Sequence, residues 1–513
     1  MEQFLSRHQK PIVGVLSGFD RMIFRGTLRS ISYVNGMDIF LSAHKILLKN
    51  FGAFVQKQSA RLKQHAEGYA RRHGRPYLYV ASASASKEQI ARGIMQRDNI
   101  TKGLICVLAC VEPCQSYAIR KDQTSKKLKL IPTLRKCLHF YFYLVDHEFG
   151  FMHIRLQSWF PCSLQVYING REWLARKMDK AGIAYERHEN AFVQVADFLR
   201  AQELADAAVT RNWHKLLDRF GQRFNPLLQE LNLRGYYWTL RQGEYATDII
   251  FKDPGQLRPL YQMVIRHAIE HFSCEDVLRF LGRKTNSRFN GEVKSEIRKR
   301  PEGTRIKYWV EENSIKMYDK QGCVLRIETT INNPRRFKVY RETHRHGQKT
   351  KAWIPMRKSV ADIYRRVEVS RQANIKYLEA LSVIGDQQPS HQLLDSVARP
   401  VFQNHHRYRA LRPITPEETL LFQSVLRGEF LLHGFRSADL RKQHFQPPST
   451  PEEKRRQMGR ASRLIGMLRA HGLVKKIPKT RRYRITQKGH FVMSTSLYFR
   501  KSEIAFLQQA SSI

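Results

Sequence analysis

Residues 472–489 read GLVKKIPKTRRYRITQKG: an apolar start, a basic turn and a second short strand. Upstream, Thr450-Pro451-Glu452-Glu453 places a capping Thr before Pro at the first helical position, with Glu at the third. The same start occurs at Thr415-Pro416-Glu417-Glu418, and Ser437 is positioned to cap a short helix over 438–444. Three helices followed by a basic hairpin is the winged-helix order, and it makes residues 414–513 a nucleic-acid-binding domain. On the third helix Ala461, Leu464, Ile465 and Leu468 share a core face. Arg456, Arg460 and Arg463 project from a neighbouring face. Lys475, Lys476, Lys479, Arg481, Arg482 and Arg484 line the wing, where they would meet phosphate.

The wording GLVKKIP…RRYRITQKG resembles the wing of MarR-like and related bacterial winged-helix regulators. The resemblance covers about the last hundred residues and implies docking on duplex or structured nucleic acid.

The whole chain is basic. Its 513 residues carry 89 Lys+Arg against 45 Asp+Glu, a formal net charge of +44. Such an excess repels itself in the compact state. A polyanion offsets that cost, because each neutralised phosphate releases a condensed counterion. The expected partner is therefore DNA or structured RNA; phosphate attraction does not distinguish the sugar. Hydrophobic residues at 42% and aromatics at 11% suffice for packed cores and exclude a disordered basic tail. Seven cysteines over this length do not read as a disulfide framework. The opening MEQFLSRHQK has no apolar signal core, and apolar runs such as LHFYFYLV (138–145) are too short to span a bilayer. A cytoplasmic, nucleoid-associated protein with no membrane partner is the expectation.

The fold class expected is mixed α/β (α+β), multidomain. Residues 1–185 read as a mixed-sheet domain and candidate nuclease core. A strand over 12–19 leads to Asp20, one long amphipathic helix covers 37–72, and Ser86 with Gln89 opens a helix. Several strands follow between 104 and 168. Residues 186–300 read as helical, 301–384 as a β-meander plus helix, and 385–413 as a linker.

In so basic a chain, acids in or at the ends of apolar strands stand out: Asp20, Asp146, Glu328 and Asp319. Hard oxygen ligands suit Mg²⁺ or Mn²⁺, with substrate phosphates completing the shell. Asp20, Asp146 and Glu328 are the expected metal-binding and catalytic trio, with Asp20 and Asp146 converging. A strand ending in Asp, with further acids later, resembles the RNase H-like nuclease and transposase fold. That family's last acid lies on a helix, whereas Glu328 falls on a strand. The alternative for Asp20 and Asp146 is ion pairing or turn formation.

The stretch SIKMYDKQGCVLRIETTINNP (314–334) resembles strands of rolling-circle replication initiators. On that view Tyr318, Tyr236, Tyr237 or Tyr245 would be a nucleophile. Their paired metal-binding histidines are missing, since His153 stands alone in MHIRL. YYWTLRQGEYATDIIFK (236–252) resembles the Tyr-Arg-Glu-Lys signature of some cut-and-paste transposases, with spacings one residue off. As a whole the chain looks like uncharacterised multi-copy bacterial transposase-like proteins. The resulting expectation is a mobile-element enzyme that cleaves or transfers DNA strands with Mg²⁺, with a bound RNA as an option. The alternative is a non-catalytic RNA- or DNA-binding scaffold or regulator. His267-Ala268-Ile269-Glu270-His271 matches an inverted zinc-protease motif, but no third ligand stands out. Cys106, Cys110, Cys114, Cys137 and Cys162 lack the tight spacing of a zinc ribbon.

Overall fold

The computed structural model describes residues 1–283, 292–300, 303–345, 348–382, 384, 390–403, 406–427, 430, 434–478 and 480–501. The chain forms two compact units, one from residues 13–251 and 296–371, the other from 1–12, 252–295 and 372–513. Mixed α+β architecture is present, as the sequence suggested.

The larger unit is organised by an eleven-stranded sheet. In chain order its strands are β1 (Ile12–Thr27), β2 (Tyr77–Tyr79), β3 (Gly103–Lys121), β4 (Leu128–Asp146), β5 (Gly150–Gln157) and β6 (Leu164–Asn169). A separate hairpin, β7 (Tyr185–His188) and β8 (Ala191–Val195), precedes β9 (Tyr237–Phe251). Then come β10 (Lys294–Arg300), β11 (Gly303–Val310), β12 (Asn313–Lys320) and β13 (Val324–Thr330). The spatial order is β10-β11-β12-β13-β9-β1-β6-β5-β4-β3-β2. Neighbours from β1 through β6, β5 and β4 to β3 run antiparallel, as do β9, β13, β12 and β11; β2 joins β3 in parallel.

Apolar runs explain the strands toward the β2 edge of the sheet. Leu104–Cys110 and Phe140–Val145 pair with one another and are buried on both faces, the pattern of strands covered on two sides. Helix Phe51–Arg72 supplies Val55, Leu62, Ala66 and Tyr69 to the same core as Phe140 and Phe142. Helix Lys87–Arg97 packs Ala91 and Ile94 with Tyr141, Tyr143 and Phe151 in a second core. Ser86 accepts the Gln89 amide at 3.3 Å, the cap read from the sequence.

Three expectations change. The helix expected over 37–72 is broken into Val34–Ala43 and Phe51–Arg72, with Lys45 at φ 56° between them. Residues 186–300 are not wholly helical, because β7, β8 and β9 fall inside them. The meander strands β11–β13 also do not form a separate domain: through β9 they extend the sheet that contains β1. The reason lies in β9. Its residues from Gly243 to Phe251 are all buried, so it lacks the alternation that marks a half-exposed strand.

In the smaller unit, helices Pro416–Val425, Ser437–His444 and Pro451–Ala470 precede hairpin Val474–Lys476/Tyr483–Ile485. Phe435 forms a single antiparallel β-bridge with Tyr483. Helix Gln487–Lys501 follows. Phe422, Leu440, Ile465, Leu468, Leu473 and Ile485 are among its core residues. Thr450 caps as expected, accepting the Glu453 amide at 3.1 Å. Thr415 instead donates to the Arg412 carbonyl, and Ser437 is the first helical residue rather than the cap. Among the described residues no helix is long and apolar enough to cross a membrane.

Candidate metal centre

Register brings distant residues together. Glu328 lies opposite Lys316 on one side and Ala246 on the other, while Thr330 lies opposite Glu244. Directly opposed residues of antiparallel strands share a face, and the period of two keeps Glu244, Ala246 and Asp248 on it. β1, the next strand, contributes Asp20. Carboxylate oxygens of Asp20, Glu244 and Glu328 all lie within 4.8 Å of one another. Among the described residues this is the one convergence of three or more His, Cys, Asp or Glu side chains. The three residues are 7%, 8% and 0% exposed, so their charges must be answered within the protein.

Asn190, at the turn of the β7–β8 hairpin, donates its Nδ2 to both Asp20 oxygens at 2.8 and 3.1 Å. Arg326 approaches Asp20 at 3.4 Å. Burial alone would raise the Asp20 carboxyl, but Arg326, Arg171, Lys316 and Arg21 together hold it below its usual value. Gln242 donates to Glu244 at 2.7 Å. Glu328 receives the Lys316 ammonium at 2.6 Å and the Tyr318 hydroxyl at 3.0 Å. Its carboxyl is pushed up to about 7, first by burial and then by Glu244 and Asp20, against the pull of Lys316. Asp248, fully buried, holds Arg326 at 2.6 and 2.8 Å and Arg171 at 2.9 Å. Arg171 is the second residue of the helix Gly170–Lys180, whose first residue must be glycine: a Cβ there would collide with the Phe19 carbonyl, beside Asp20. The acids therefore stand on strands, and a second set of buried pairs ties those strands to a helix.

The dimensions suit a hard divalent cation. Octahedral Mg²⁺ spaces its ligand oxygens about 3 Å apart when adjacent and about 4 Å when opposite. A group within 4.8 Å reaches that geometry with small rotamer adjustments. Two buried oxygens here, Asn190 Oδ1 and Glu328 Oε1, lack an aligned hydrogen-bond donor, and Lys316 reaches the second only as an ion pair. Lys316, also 3.8 Å from Glu244, supplies the positive charge at this point.

Of the expected trio, Asp20 and Glu328 converge and Asp146 does not. β5 and β6 separate β4 from β1, about 14 Å at the usual strand spacing. The Asp146 carboxylate instead accepts the amides of Glu148 at 2.8 Å and Phe149 at 3.1 Å, closing the turn into β5. Asp319 likewise accepts the Thr304 amide at 2.7 Å. The third acid that does converge, Glu244, was passed over by the strand-acid reading because its segment was read as helical. Two signals pointed to it: a carboxylate inside the β-branched and aromatic run YWTLRQGEYATDIIF, and its place as the glutamate of the stretch resembling the Tyr-Arg-Glu-Lys signature, whose spacings are one residue off.

Among the four candidate tyrosines, Tyr318 donates to Glu328. Tyr236 donates to the Cys162 carbonyl, Arg371 donates to Tyr245, and Arg29 lies over the Tyr237 ring. On the third helix of the smaller unit Arg456, Arg460 and Arg463 are exposed, with Arg460 over the Phe445 ring. Lys475, Lys476, Arg481 and Arg484 are exposed on the hairpin, and Arg482 is half-buried and reaches the Gly434 carbonyl. Lys479 lies outside the described residues. His267 and His271 lie with ring centroids 4.6 Å apart and planes tilted by 35°, but neither they nor the cysteines belong to a metal-sized group among the described residues. Cys106 and Cys110 are core residues. No protein-family model matches this chain, and no curated protein or solved structure matches it either.

Proposed function

We propose that the protein is a metal-dependent phosphoryl-transfer enzyme of mobile-element type that cleaves or joins nucleic-acid strands, with Asp20, Glu244 and Glu328 as its metal-holding residues. The observation that supports this most is the convergence of three buried carboxylates from separate strands in a chain of net charge +44. A Mg²⁺ or Mn²⁺ ion bound there would polarise a phosphate and lower the pKa of an attacking hydroxyl or water. The chain's own residues do the positioning. Asn190 and Arg326 orient Asp20, Tyr318 orients Glu328, and Gln242 orients Glu244. Lys316 balances part of the acids' charge, and its ammonium would be available to a phosphate oxygen if a bound cation took over that role. The basic hairpin and the exposed arginines of the third helix hold the polynucleotide.

The test is Mn²⁺ titration by calorimetry together with strand cleavage. Asp20→Asn is expected to abolish cleavage and weaken Mn²⁺ binding at least about tenfold, while nucleic-acid affinity is kept or improved. Equal loss of affinity and cleavage would refute the assignment. The second reading, a non-catalytic scaffold, is favoured by one contact, the 2.6 Å Lys316–Glu328 pair, which already answers one of the three acids. It predicts no Mn²⁺ binding at all.

A further inference from the structure

On the same larger unit a cavity of about 200 Å³ opens between β1, β3, β4, β5, β6 and β9. Its walls carry three guanidinium groups: Arg25, Arg155 and Arg241. Register explains why two of them meet. Arg25 lies opposite Gln165 across β1–β6, and Gln165 opposite Arg155 across β6–β5, so the three side chains form one cross-strand row. Arg155 is paired with Glu112 at 2.7 Å, and its Nε is buried without a hydrogen-bond partner. Arg25 and Arg241 have no acidic partner among the described residues. Arg25 is half-buried, and its guanidinium is held below its usual value by burial first and by Arg241 and Arg155 next. Arg25 and Arg241, unanswered beside the paired Arg155, are like charges that repel one another across one small space.

The polar wall is already fixed. Gln157 donates to the Gln115 and Trp159 carbonyls at 3.0 and 2.9 Å and accepts from Ser163 at 2.8 Å. A ligand entering here meets a preset surface rather than having to order one, which lowers the cost of binding.

We infer that this cavity is a receptor for a phosphate monoester, held by Arg25, Arg155 and Arg241. Two arginines lack an anion, and a monoester carries a charge of about −1.5 to −2, whereas a chain-internal phosphodiester carries one. Planar guanidiniums also grip terminal phosphate oxygens in pairs. The monoester is the end of a nucleic-acid strand or a free mononucleotide. The first source rests on the proposed nucleic-acid function; the second does not. The site is distinct from the acid group: Arg25 lies five residues beyond Asp20 on β1, about 17 Å along an extended strand.

The experiment measures binding of the full chain to oligonucleotides ending in 5′-phosphate, 3′-phosphate or hydroxyl only, and to a nucleoside with and without its monophosphate. One phosphorylated end is expected to bind about tenfold tighter than the hydroxyl end, a gain typical of charge-assisted pairs. Arg241→Gln, at an exposed position, and Arg25→Gln should each erase that preference while hydroxyl-ended strands bind as before. Arg25→Lys should keep part of it. Equal binding of all ends, or equal weakening of all ends by the variants, overturns the inference and leaves the nucleic-acid reading standing. Arginine-dependent binding of the mononucleotide with no oligonucleotide binding upholds the cavity and defeats that reading. If Arg25→Gln fails to fold, Arg241→Gln alone decides.

Discussion

Around Glu328 each acid meets a cation or a donor within hydrogen-bonding reach, and behind it Asp248 is shared by two buried arginines. On the basic hairpin Lys475 lies directly opposite Arg484 on the neighbouring strand. Like charges placed that way are destabilising. The two regions teach one rule from opposite sides. Where water is excluded, a charge survives only if the fold supplies its partner. Where water remains, uncompensated cations persist at modest cost.

The largest expected effect tests the buried side. Arg326→Ala takes from Asp248 one of its two guanidiniums and from Asp20 its ion-pair partner, and should destabilise the larger unit by about 3–5 kcal/mol in urea unfolding. A loss under about 1 kcal/mol would mean the acid face is far wetter than its burial indicates. On the exposed side, replacing Lys475, Arg481 and Arg484 by Gln should leave stability nearly unchanged and lower the salt slope of nucleic-acid binding. The expected drop is about 0.9 for each phosphate that the hairpin no longer neutralises. An unchanged slope would show that the hairpin faces something other than phosphate.

Proton linkage sharpens the contrast, because individual buried groups respond to pH with opposite sign. His267 and His490, both in the smaller unit, are lowered to about 3 and about 4, chiefly by burial. Both stay neutral when folded, while the unfolded chain takes up protons below its ordinary value near 6.5. Their contribution is whole above pH 6.5 and is lost as pH falls toward 4. Glu328 does the reverse. It keeps its proton when folded up to about pH 7, whereas the unfolded chain releases it above 4.5. Its contribution is lost as pH rises from 4.5 toward 7. Melting temperature against pH, compared with His490→Gln and Glu328→Gln, should show each variant flattening its own limb. The smallest effect is local: Thr450→Ala removes the bond to the Glu453 amide and should cost about 1 kcal/mol.

Legibility followed the range of the interactions. Caps such as Ser86 and Thr450, and the order of helices and hairpin in the last hundred residues, rest on contacts a few positions apart. Two of the three converging acids, Asp20 and Glu328, stood out because a carboxylate in a buried strand is costly and so conspicuous. Glu244 did not, because β9 is buried on both faces and lacks a readable period. Asp146 misled for a physical reason: a strand-ending Asp that closes a turn looks the same in sequence as one that binds a metal. The arginine cavity left no trace at all, since Arg25, Arg155 and Arg241 meet only through strand register and β9's place beside β1.

The amino-acid sequence alone determined the charge, the mixed helix-and-strand content and the capped helices with their basic hairpin, since composition and neighbouring residues settle these. Which acids and arginines meet was decided by the tertiary structure, by inserting β9 between β1 and β13. That pairing joins residues more than two hundred positions apart, and the free energy that selects it comes from burying whole strand faces, which no local pattern encodes.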